Sequence, residues 1–350
     1  MDSKTKMLSG MLEAQFQYSA GDDEAGSITL ERTLKMARGK DLSILRQLPA
    51  DVISCLCARA LVEDVQTDVV REFIREQRMP AMLGGCCEQW PWPVRLYTLG
   101  RFSLVIDGNP MISSTKAQHR PLELLKLIIS LGGRGVSVGR VCDELWPDQE
   151  GDAAYKSFTV TLYRLRKMMG NDTVLLSDSM LSLNNQFCWV DSWELQRQLT
   201  ELEQQCQQGK PGDIDMLTQK VLALYQGHFL GDENSGQPWQ LATRERLRSR
   251  MLRAILTAGG YLERAGNIES AIAIYQKGLE IDELAEDLYR RLMTCMVSEG
   301  RFAEAKAVYQ RCEKILATIL GIEPSTNTMK VYANVMSNQN SGLRLVHSRV

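Results

Sequence analysis

Four positions recur at one interval in the C-terminal part of this 350-residue chain: Gly266 as Gly300, Ala271 as Ala305, Ala273 as Ala307 and Tyr275 as Tyr309, each 34 residues apart. A fixed period of that length indicates stacked helical hairpins, each burying its apolar face against its neighbours. The residue types suit that geometry. Glycine closes the turn inside a hairpin, small alanines let paired helices approach, and tyrosine fills the gap between hairpins. About three such units are needed to bury a continuous core. The stretches Leu222 to Phe229 and Trp239 to Leu256 are therefore read as further helices of the array. From Trp193 onward nothing reads as strand, and the polar tail from Ser337 is expected to fray.

A second helix constrains function. In DAAYKSFTVTLYRLRKMMG (Asp152 to Gly170), Phe158, Leu162, Leu165 and Met169 fall on one stripe at steps of four, three and four, the spacing of a buried face. At about 100° per residue, the opposite side carries Lys156, Val160, Tyr163, Arg164 and Lys167, with Thr159 and Arg166 on a flank. No acid lies between Asp152 and Asp172. A helix fixed to a core on one face, and basic, hydroxylated and acid-free on the other, suits the major groove of DNA. A solvated basic face is the competing reading of this helix taken alone.

The order of elements around it adds to the argument. Val94 to Gly100 and Phe102 to Ile106 are rich in β-branched and aromatic residues, and Asp107-Gly108-Asn109-Pro110 is a turn signal. Lys116 to Leu131 reads as a helix stopped by Gly132-Gly133. Ser137 is a candidate N-cap for a shorter helix holding Val138, Val141, Cys142 and Leu145, which Trp146-Pro147-Asp148 ends. After Gly170, VLLSD and MLSLN read as strands around a polar turn, and FCWV runs extended. Strand pair, helix, helix, loop, helix and hairpin is the order of a winged helix-turn-helix. The expected fold is mainly α: an α+β winged helix-turn-helix joined to an all-α, tetratricopeptide-like helical repeat domain, with a short helical N-terminal block. The expected boundaries are a loose leader over 1–27, a helical block and Pro/Trp-rich linker over 28–90, the winged helix over 91–187, the repeat domain over 188–336 and a tail over 337–350.

Composition narrows the function classes. Net charge is −2, and Pro93 to Phe187 holds eleven Lys or Arg against nine Asp or Glu. An affinity for nucleic acid must therefore come from clustering of charge. The first fifteen residues lack the apolar core of an export signal, and no apolar run approaches membrane-spanning length. The nine cysteines are read as reduced, buried or partly buried thiols of a cytoplasmic protein. Cys86-Cys87 and the Cys55/Cys57 pair lack zinc-knuckle spacing, and His119, His228 and His347 are scattered. No metal or other cofactor is expected. Gly39-Lys40 and Gly209-Lys210 are followed by Asp41 and Pro211 rather than the Ser or Thr of a phosphate loop. The chain is not expected to be an enzyme.

The residues also resemble a known family. VRLYTLGRFSL, LLKLIISLGGRGVS, VCDELWPD and TLYRLRKMMG are similar to the OmpR-type winged helix of the antibiotic-regulator (SARP) class of bacterial transcription factors. LYQGHFL (Leu224 to Leu230), RERLRSRML (Arg244 to Leu252), AGNIESAIAIYQKGLEID and LGIEPS (Leu320 to Ser325) resemble the bacterial transcriptional activator domain, a tetratricopeptide-like module. Together they cover about residues 93 to 335, in the order in which the family carries them. The resemblance implies a sequence-specific DNA-binding regulator, usually an activator. Two departures qualify it. The wing tip, Ser177-Asp178-Ser179-Met180, lacks the family's frequent Gly-Gly-Tyr and basic residue, so little wing contact is expected. Tyr163 stands where a small or basic residue is common, so the target sequence cannot be carried over.

Within this reading Arg164 and Lys167 are the first candidates for phosphate or guanine contact, Arg being the better base reader because its fork is bidentate. Lys156 and Thr159 are placed near the groove or adjacent backbone, Val160 against a thymine methyl, and Tyr163 against base or sugar, with Arg166 on the flank. Lys116 and Arg140, near the starts of the two preceding helices, are weaker phosphate candidates. Asp148, Gln149 and Glu150 occupy the loop that winged helices of this type turn to RNA polymerase, and their acidity suits a basic protein partner. Arg246, Arg250 and Arg253 share a helix face, where pairing with acids and solvation competes with a partner groove. The expected partners are double-stranded DNA, RNA polymerase as a candidate, and a protein or small ligand on the repeats. No membrane partner is expected, and oligomeric state is left open. The alternative is a protein-interaction scaffold whose winged helix no longer binds DNA.

Overall fold

The computed structural model describes residues 3–37, 42–81, 89–111, 116–208, 214–231 and 237–347, with side chains at all of these except 3, 37, 116, 117 and 338–347. Gly39-Lys40, Cys86-Cys87 and Gly209-Lys210 lie outside the described residues. The chain divides into two compact units: residues 1–97 with 103–190, and residues 98–102 with 191–350.

The first unit opens with helices α1 (Ser3–Ser19), α2 (Asp23–Ala37), α3 (Ala50–Val62) and α4 (Thr67–Glu76). The loose leader expected over 1–27 is thus replaced by α1 and the start of α2. Met7, Met11 and Ala14 of α1 and Leu30 and Leu34 of α2 are buried. A Cβ on Gly10 would stand 2.3 Å from Thr33 Oγ1, so glycine sets the approach of the two helices. The Pro/Trp-rich stretch is packed as well, with Trp90 and Trp92 both buried. The N-terminal helices and the winged helix fall in one unit rather than on either side of a linker at residue 90.

The winged-helix part begins with β1 (Val94–Tyr97), β2 (Ser103–Ile106) and β3 (Asn109–Pro110). Helix α5 (Lys116–Ser130), the short strand β4 (Val136–Ser137), α6 (Val138–Leu145) and α7 (Gly151–Met169) follow. The wing is β5 (Val174–Ser177) and β6 (Met180–Leu183), and β7 (Cys188–Val190) closes the unit. One sheet has the order β3-β2-β1-β7 and the other β4-β6-β5. Strand β7 pairs parallel with β1, Val94 opposite Cys188 and Leu96 opposite Val190. The core joins Leu125 and Ile128 of α5, Val141 of α6, Phe158, Leu162 and Leu165 of α7, and Leu181 of the wing, all buried. Ser137 is the residue before α6, but its side chain makes no capping bond; its backbone pairs with Met180 instead.

The second unit is helical: α8 (Asp191–Gln208), α9 (Ile214–Leu224), α10 (Pro238–Arg264), α11 (Ile268–Ile281), α12 (Glu286–Ser298), α13 (Phe302–Ile319) and α14 (Thr326–His347). Gly266 and Gly300 take φ of +78° and +74°, the left-handed turns that glycine enters without strain. Tyr275 and Tyr309 are buried, as are Ala271 and Ala305. Ala273 and Ala307 are exposed, so only the first alanine pair serves helix approach. Helix α9 stops at Leu224, and Phe229 bridges Leu99 rather than continuing it. Helix α14 runs unbroken through Ser337, where fraying was expected. Asp191, 2% exposed, holds the Thr98–Phe102 segment. Its carboxylate accepts the Thr98 and Leu99 amides at 2.7 and 2.9 Å and the Thr98 hydroxyl at 2.6 Å.

Candidate nucleic-acid interface

Helix α7 carries the candidate site. Its buried residues, Ala154, Phe158, Thr161, Leu162, Leu165 and Met169, include the whole stripe that the apolar period predicts. Packing on α5 and α6 therefore fixes which side faces out. Lys156, Thr159, Val160, Tyr163, Arg164 and Lys167 are exposed. Among the described residues no acid pairs with Lys156, Arg164 or Lys167. Lys167 stands in the last turn, where a cation also complements the helix dipole.

Three candidate residues have partners in the fold. Arg166 Nε donates to the Val174 carbonyl at 3.0 Å, so this side chain ties α7 to the first wing strand and is only half-exposed. The Thr159 hydroxyl donates to the Tyr155 carbonyl at 2.9 Å. Gln149, in the loop before α7, accepts the Ser157 hydroxyl at 2.8 Å, while Asp148 and Glu150 are exposed. Arg140 is exposed on α6; the Lys116 side chain lies outside those described. The structure therefore brings Lys156, Val160, Tyr163, Arg164 and Lys167 onto one free face and gives Arg166, Thr159 and Gln149 bonds within the fold.

The wing has a different character. Asp178 and Ser179 turn the hairpin with φ of +49° and +60°, a tight turn made without glycine. Leu175, Leu176 and Met180 are exposed on it, and none of its residues is a cation.

No clustered His, Cys, Asp or Glu side chains among the described residues could hold a metal ion. Burial pushes the Cys57 and Cys188 thiols up to about 12, so neither forms a thiolate near neutral pH. Cys55, read as at least partly buried, is exposed on α3. No described helix is long and apolar enough to cross a membrane.

Residues 190–336 match the bacterial transcriptional activator domain. The chain is SARP-like. It is 25% identical, over 238 residues, to the regulatory protein AfsR of Streptomyces griseus, a match covering 65% of this chain and 23% of AfsR. The SARP-like chain thus spans under a quarter of that relative. Its fold is similar to that of Mycobacterium tuberculosis EmbR, solved in complex with a low-affinity phosphopeptide: TM-score 0.56, 19% identity, 71% of this chain and 66% of EmbR covered. At that identity the likeness is one of fold.

Of the three arginines on the shared face in the repeat domain, one is paired, and so is the neighbouring Arg248. Arg250 meets Glu203 and Thr200, and Arg248 bridges Glu245 and Asp282. Arg246 and Arg253 are exposed.

Proposed function

We propose that this chain is a sequence-specific DNA-binding transcriptional regulator, of the activating kind, that lays α7 in the major groove. The observation that carries this is the free cationic face of a helix rigidly packed on its other side. Lys156 and Lys167 are eleven residues apart, about 16 Å along the axis at 1.5 Å per residue. With the helix laid across the groove, that spans its width of roughly 12 Å, so the two lysines reach phosphates on opposite walls while Val160, Tyr163 and Arg164 face the base edges. Lys116 and Arg140 add backbone contacts, and the acidic residues Asp148 and Glu150 remain available to RNA polymerase. The activator domain takes a partner on its helices. An open pocket of about 630 Å³, lined by Leu222, Tyr225, His228, Lys277 and Ile281 among others, is where a small ligand or peptide side chain would seat.

The second reading, an interaction scaffold that has lost DNA binding, is favoured by the wing, whose exposed leucines and acidic tip suit protein better than phosphate. A gel shift with fragmented bacterial genomic DNA separates the two. The full chain is expected to retard specific fragments, and Arg164→Ala with Lys167→Ala to abolish the shift at physiological salt. No retardation at low salt would sink the DNA-binding reading.

A further inference from the structure

Helix α7 presents fewer hydrogen-bond donors than its sequence suggests. Its three aliphatic hydroxyls, on Ser157, Thr159 and Thr161, all donate within the protein, to Gln149 Oε1, the Tyr155 carbonyl and the Ser157 carbonyl. Arg166 is turned to the wing. The helix contains no Asn or Gln, the side chains that bond both major-groove edge atoms of adenine. The donors left on its outer face are Lys156, Arg164, Lys167 and the Tyr163 hydroxyl.

Between the lysines, beside Arg164, the face carries the side chain of Val160 and the ring of Tyr163. Val160 is 51% exposed and Tyr163 67%. By helical angle Val160 lies at the centre of the outward stripe, with Lys156 and Arg164 about 40° to either side. A valine here has no polar atom to offer a base, and the one apolar group on the major-groove edge is the C5 methyl of thymine.

Resting on the DNA-binding reading above, we infer that this protein recognises A·T pairs through the thymine methyl, with Val160 as the specificity-determining residue and Tyr163 beside it. Guanine is left to Arg164. The target is a duplex in which thymine neighbours guanine within one half-turn.

The test is a binding selection by the full chain from a random duplex library, followed by anisotropy titrations of the selected duplex. Each thymine is replaced in turn by uracil, which removes only the methyl. The expected result is a loss of about fourfold or more at one or two thymines, the fold-change that corresponds to ~0.8 kcal/mol per buried methyl-sized group. Val160→Ala is expected to weaken binding to the thymine duplex and leave binding to the matching uracil duplex unchanged, so that the two losses do not add. Val160 is exposed, so this variant keeps the fold. Equal binding of thymine and uracil duplexes overturns the inference and leaves the DNA-binding reading standing. Failure to select any duplex at low salt overturns both.

Discussion

Gly259 and Gly266 are seven residues apart, and the fold needs each for a different reason. A Cβ on Gly259 would stand 2.4 Å from the Tyr275 ring, so this glycine makes room for a buried aromatic inside a helix. Gly266 meets nothing but sits at φ +78°. Gly266→Ala is expected to cost about 1 kcal/mol from backbone strain alone, and Gly259→Ala about 1–3 kcal/mol from overpacking. Urea melts that ranked them the other way would contradict this assignment. Only Gly266 is legible in the sequence, through its recurrence at Gly300; the Gly259 contact depends on a side chain from another helix. Glu286 gives a pH dependence at the same scale. Burial pushes its carboxyl up, but hydrogen bonds from Thr328 and Ser325, helped by Arg290, outweigh that and hold it below its ordinary value. A depressed carboxylate contributes stability above its unfolded pKa, near 4.3, and loses it as pH falls through the folded value. Glu286→Gln is therefore expected to cost about 1–3 kcal/mol at pH 7 and progressively less below pH ~4. An equal cost at pH 7 and pH 3 would show that the charge is not what holds α14 to α12.

At the scale of the element, α7 shows where pattern suffices. Its buried stripe follows from a 3.6-residue period, and Phe158, Leu162, Leu165 and Met169 are all buried. The bonds that subtract donors from its outer face do not follow from any period. Arg166 reads in the sequence as a cation on the flank of the outer face, yet its partner, Val174, belongs to the strand that follows. The same holds for β7: FCWV reads as extended, but its parallel pairing with β1 spans more than ninety residues and leaves no local signal. Arg166→Ala is expected to loosen the hairpin, raising amide hydrogen exchange in β5 and β6 while leaving α5 protected. Unchanged exchange in the wing would return Arg166 to the set of free groove-facing cations.

At the scale of the molecule, the sequence pattern finds the strand–helix–wing order and the helical array, and misses helix α1 and the burial of Trp90 and Trp92. Helix α1 is hidden because its buried face is built from Met7, Gly10, Met11 and Ala14 among lysines and polar residues, a composition that reads as a leader. The Trp90–Pro93 stretch reads as punctuation, although both tryptophans are buried and the N-terminal helices cluster with the winged helix. The recurrence at 34 residues fares better because it reports non-local packing directly. The free face of α7 remains the centre of the account, and the salt dependence of binding tests it most directly. Anisotropy titrations of a selected duplex from about 50 to 200 mM salt should give an association constant whose logarithm falls linearly with log salt. Lys156→Ala with Lys167→Ala should make that slope shallower by about 1.8, for two lost phosphate contacts at roughly 0.9 each. An unchanged slope in the double variant, or no binding at the lowest salt, would contradict the assignment of α7 as the DNA-binding element.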